Sequence, residues 1–180
     1  MNRELHLYYR DGHSRLEVLD SDKQTVLYIV YRTSSKPHLT ICRAPTRNSP
    51  ERMVGQVSFH HFSSDIDLNM VEVPVTMKKK GMLSSGYSVS GDGIRWRWER
   101  DGALTSNLKL VDEVGGRGVL ATFENASWSV KKQGRLVVGV EGGWEWDVVV
   151  VTGLARVEYQ RRGRETQNGA VYGSVGTGGS

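Results

Sequence analysis

Apolar positions along most of the chain recur in short alternating runs broken by turn residues, and change character only near the carboxyl end. Leu5, Leu7 and Tyr9 alternate with polar neighbours, Asp11-Gly12 supplies a turn, and Leu16 and Val18 resume the alternation. Such signals predict strands paired as a hairpin. Val26 to Tyr31 and Leu39 to Cys42 predict two further strands, divided by the breaker Ser34-Ser35-Lys36-Pro37. After a proline-containing loop from Ala44 to Arg52, Met53 to Phe62 predicts another, with Gly55 in position for a bulge. Ser63 to Asn69 is polar and predicts irregular chain, while Met70 to Met77 predicts an extended segment whose Pro74 marks an edge or bend. The clearest period of two lies between the turns Gly91-Asp92-Gly93 and Asp101-Gly102. There Ile94, Trp96 and Trp98 alternate with Arg95, Arg97 and Glu99, so one face is apolar and the other charged. Tyr87 and Val89, Val119 to Phe123 and Leu136 to Val138 add strands, and Leu104, Leu108 and Leu110 follow less regularly. Roughly ten or eleven strands at this spacing describe a sandwich or a barrel.

From Trp144 to Arg162 the pattern is different. Val148 to Val151, Leu154, Ala155 and Val157 leave no polar stripe, so a helix here must be enclosed on every side. Glu145 and Asp147 at its start, with Arg156, Arg161 and Arg162 at its end, match the helix dipole. A run of β-branched residues is equally the mark of a buried strand. Propensity disfavours the helix by about 2 kcal/mol over four valines. Burying those valines contributes about 6–12 kcal/mol in either conformation, so both remain open. A sheet curled until it closes has no exposed edge and an interior able to hold such a segment. Beyond it the chain is rich in Gly, Ser and Thr, which predicts one domain over residues 1–162 and a disordered tail over 163–180.

Composition narrows the class further. A chain of 180 residues suits one domain, and 38% hydrophobic with 24% charged residues excludes global disorder. The net charge of +4 permits contact with phosphate-rich surfaces without requiring it. Cys42 is the sole cysteine, which excludes a disulfide framework and points to a reducing compartment. The first residues form no apolar leader, and the valine run falls short of the roughly 20 residues a membrane span needs. The expectation is a soluble, cytoplasmic protein, with peripheral membrane contact its one link to a bilayer.

The order of these elements is itself a signal. Many antiparallel strands, a strand carrying Gly93, Trp96 and Trp98, and a terminal Trp-x-Trp-Asp-Val-Val-Val-Val segment ending in basic residues resemble the tubby C-terminal-like superfamily. That group includes tubby, phospholipid scramblases and the LURP-one-related proteins, and the likeness is strongest to a fungal family of uncharacterised proteins within it. It is best from about Gly91 to Arg161 and weaker over the first 80 residues. The resemblance implies a mainly β fold, a closed antiparallel barrel of about twelve strands around a buried hydrophobic C-terminal helix. It turns the valine segment towards helix. It also implies a non-catalytic binding module, with phosphoinositide head groups or another anionic membrane lipid as ligand, or a protein partner. The cysteine-rich stretch, acidic calcium loop and spanning helix of scramblases are missing, which speaks against lipid scrambling.

The candidate lipid-binding residues are two basic runs, Lys78, Lys79 and Lys80, and Lys131, Lys132 and Arg135, each cation worth roughly 1 kcal/mol near an anionic surface. The plain alternative is a solvated basic loop. An enzyme or small-molecule binder with its site at the barrel mouth is a second class of reading, and single-stranded nucleic-acid binding on Arg95-Trp96-Arg97-Trp98 a third. Strict alternation points those tryptophans away from the arginines, into a core. His60-His61 cannot grip one metal from opposite faces of a strand, and Asp65 and Asp67 beside it read as a polar loop. Cys42 reads as a buried thiol. Gly115-Gly116-Arg117-Gly118 precedes a strand rather than a helix N-terminus and is a turn, not a phosphate loop. No cofactor or metal site and no catalytic residue is expected.

Overall fold

The computed structural model describes residues 2–60, 63–81, 85–102, 105–126, 132–140 and 142–173, with the side chains of the final helix described through Arg164. Twelve strands are formed among these residues: β1 (Arg3–Arg10), β2 (Arg15–Leu19), β3 (Val26–Arg32), β4 (Leu39–Arg43), β5 (Arg52–Phe59), β6 (Ile66–Met70), β7 (Val75–Lys79), β8 (Tyr87–Gly91), β9 (Ile94–Arg100), β10 (Leu108–Asp112), β11 (Val119–Asn125) and β12 (Lys132–Val138). A single helix, α1 (Trp144–Gly173), follows. Each strand pairs antiparallel with the next, and β1 pairs with β12, so the sheet is a closed barrel.

Closure explains why the valine segment is a helix. With β1 against β12 no edge is left to accept a thirteenth strand. A segment inside the barrel has no ladder partner, and only a helix satisfies its own N–H and C=O groups there. Val148, Val149, Val150 and Val151 are fully buried, as are Thr152 and Ala155. Their burial outweighs the roughly 2 kcal/mol of unfavourable β-branched helix propensity several times over. The helix needs room, and two glycines provide it. A Cβ on Gly55 of β5 would lie 3.3 Å from the Val151 side chain, and one on Gly153 would lie 3.2 Å from the Trp98 ring.

Polar ties hold α1 along its length. At the lower end, where β12 delivers the chain, the Tyr28 hydroxyl (2.8 Å) and Arg43 Nε (2.9 Å) donate to Asp147. Midway, Trp98 Nε1 donates to Thr152 Oγ1 at 2.9 Å, which itself donates to the Val148 carbonyl. At the upper end the buried Glu158 carboxylate takes Arg161 (2.7 Å), Arg162 (3.1 Å) and Arg32 (3.2 Å).

Several boundaries differ from the sequence reading. Ser63 to Asn69 is not irregular throughout, because Ile66, Leu68 and Met70 alternate with Asp67 and Asn69 and form β6. Residues 71–74 make the β6–β7 turn, so Pro74 lies in a turn and β7 begins only at Val75. The helix continues to Gly173, well past the expected boundary at Arg162, since a nucleated helix propagates at little cost. The rest of the expected tail, 174–180, lies outside the described residues. No described helix is long and apolar enough to cross a membrane.

Candidate functional site

Strand alternation divides the first basic run. Val75 and Met77 face the core, so Lys78 and Lys80 point outward while Lys79 falls on the inner side, half-buried at the upper rim. The run therefore begins on a strand rather than in a free loop. Register sets its neighbours: Lys78 pairs with Ser88 of β8, and Ser88 with Arg97 of β9, while Thr76 pairs with Ser90 and Ser90 with Arg95. A row of small hydroxyl residues on β8 thus runs between lysines on one strand and arginines on the next.

Near the upper end of this wall an open groove of about 550 Å³ is lined by Lys80, Ser85, Gly86, Arg97, Arg100 and, as its one acid, Glu99. Behind the groove, Arg156 of α1 lies over the Tyr87 ring at 4.2 Å and donates to the Ser85 carbonyl at 3.0 Å. Burial pushes its guanidinium down to about 10, and its Nε has no hydrogen-bond partner among the described residues.

The wall from β7 to β10 carries the charge asymmetry of the molecule. Residues 75–112 contain seven Lys and Arg against four Asp and Glu, an excess of three in a chain whose net charge is +4. Some of these cations are neutralised. Glu113 takes Lys80 (2.9 Å) and Arg97 (3.3 Å), and Glu99 takes Arg97 (3.0 Å) and Lys109 (3.5 Å). Lys78, Lys79, Arg95 and Arg100 have no carboxylate partner among the described residues.

The second basic run does not join the first. Its strand, β12, stands five strands from β7 around the ring. Arg135 is held between Glu124 (2.6 Å) and Glu4 (2.8 Å), which raise its pKa. It ties β12 to both neighbours and has little charge left to offer. Lys132 is half-buried on β12, and Lys131 lies outside the described residues. The residues that sequence reasoning missed are Arg95, Arg97 and Arg100. They were read only against their tryptophans, and a window count of charge would have joined them to the lysines.

The other candidates resolve locally. Trp96 and Trp98 are buried and offer no stacking face. His60 Nε2 meets Asp67 at 2.7 Å, His61 lies outside the described residues, and Asp65 accepts from Ser63. Among the described residues no three His, Cys, Asp or Glu side chains converge as a metal site. Cys42 is buried, and its thiol is pushed up to about 11 by that burial and by Glu51. At the lower mouth, the space between Met53, Met70, Trp144 and Asp147 is only about 10 Å³.

No curated protein and no solved structure matches the chain. Residues 13–163, which span β2 to β12 and the buried part of α1, match the model of a family of unknown function (DUF6593), and the chain belongs to that family.

Proposed function

We propose that the chain is a non-catalytic binding module that meets an anionic membrane surface, a phosphoinositide or another acidic phospholipid, with its β7–β10 wall. The observation that carries this reading is the gathering of most of the charge excess on that wall, with Lys78, Arg95 and Arg100 exposed and unneutralised among the described residues. A kinship with tubby-like proteins belongs to the same proposal, and the twelve-strand barrel around a terminal helix supports it. At roughly 1 kcal/mol per cation, three cations give about 3 kcal/mol, equivalent to a Kd of about 6 mM. Such contact is weak, salt-sensitive and suited to a peripheral protein.

Cosedimentation with phosphatidylcholine vesicles, with and without phosphatidylserine or phosphatidylinositol bisphosphate, tests the proposal. Binding is expected only with acidic lipid and should fall as salt rises. The double variant Lys78→Glu, Arg95→Glu should abolish it without altering the melting temperature, since both side chains are exposed. Equal pelleting with neutral and acidic vesicles would overturn the reading.

A further inference from the structure

The large apolar side chains that remain exposed are not spread evenly. Of six among the described residues, five lie at the lower end of the barrel: Met53, Val71, Val114, Val119 and Trp144. Val71 opens the β6–β7 turn, which leads into the first strand of the basic wall. Val114 sits in the β10–β11 turn, which leaves its last strand, and Val119 begins β11. The two lower corners of the wall therefore end in aliphatic tips, with Val71 54% and Val114 66% exposed.

We propose that these tips insert shallowly into the boundary between head groups and acyl chains when the wall meets an anionic bilayer. The inference rests on the membrane reading given above and adds the depth and the residues of contact. Charge complementarity brings the wall to the lipid, and the tips lie along its lower edge. Arg52 is paired with Glu72, and Arg117 with Asp112 and Glu145, so the charges beside each tip are balanced, while Asp92 in the β8–β9 turn between the tips has no ion-pair partner among the described residues. Asp112 Oδ1 accepts the backbone N–H groups of Val114 (3.3 Å) and Gly115 (2.9 Å), which fixes the turn before any contact. The tips are separated by polar backbone rather than merged in one patch. A fluid interface admits separate protrusions, whereas a protein partner needs a continuous complementary face.

Native Cys42 is buried, so a cysteine placed at Val114 can be labelled selectively with an environment-sensitive dye. On phosphatidylserine vesicles the label at 114 should brighten, shift to the blue and be quenched by lipids carrying a shallow quencher. A label at Ser35, exposed in the β3–β4 loop at the opposite, upper end of the barrel, should stay unchanged. The neutral double variant Val71→Ser, Val114→Ser should lower vesicle partitioning about tenfold. Its binding to heparin, a soluble polyanion that reports on the wall alone, should not change. Retained vesicle binding with an unshifted label and an unaffected serine variant overturns insertion but leaves the wall intact. Loss of heparin and vesicle binding together in the unaltered protein overturns both.

Discussion

Trp98 and Thr152 meet through one hydrogen bond at a point that water does not reach. Replacing Thr152 by Val removes the acceptor but leaves the indole N–H buried and unmatched. The expected loss is about 1–3 kcal/mol in urea unfolding. Adding Trp98→Phe should cost less than the sum of the single changes, because the stranded donor goes with it. Glu158 is a charged counterpart at the upper mouth. Burial acts to raise its pKa, but Arg161 and Arg32 outweigh burial and hold it below the ordinary 4.5. A depressed carboxyl contributes stability that is complete above its unfolded value and is lost as pH falls through the folded one. Melting temperature should therefore drop in acid below about pH 4. Glu158→Gln should be less stable at neutral pH and should flatten that drop. Asp20, held at about 2 by its hydrogen bond to Arg3, adds to the same acid limb in both proteins.

Among the elements, the seam between β6 and β7 stands apart. Every other neighbouring pair is matched over at least four positions, whereas β6 and β7 are paired only at Ile66 and Met77. The turn between them contains Pro74, which donates no hydrogen bond. Amide hydrogen exchange should be fastest, among strand residues, at the seam-facing positions of Asp67 to Met70 and slow in β9, which is paired over five positions on each side. Equal protection across all twelve strands would contradict the single pairing. The same two regions show what sequence reading captures. β9 was legible because its large apolar groups repeat at every second position with charges between them. β6 repeats just as strictly in Ile66, Leu68 and Met70, yet Asp67 and Asn69 are poor strand formers and hid the period. The candidate site was half legible. Lys78 to Lys80 stand out as a run, but their partners come from two strands away in space, and only register brings Arg95 and Arg97 across Ser88 and Ser90.

For the molecule as a whole, the fold follows from an imbalance that the sequence states openly. Twelve short strands with one apolar face each cannot cover themselves, and the Val148 to Val157 stretch of α1 has no polar face to offer water. Each supplies what the other lacks, and the terminal pairing of β1 with β12 seals the arrangement. The order of synthesis then sets a delay. All twelve strands leave the ribosome before the helix, and β1 must wait for β12 to cover its second edge. At about 5–20 residues per second, that wait is on the order of ten seconds. Throughout it the nascent chain exposes a greasy lining to a crowded solution. Holding chaperones recognise such surfaces, and any pause in translation short of Trp144 lengthens the protein's dependence on them.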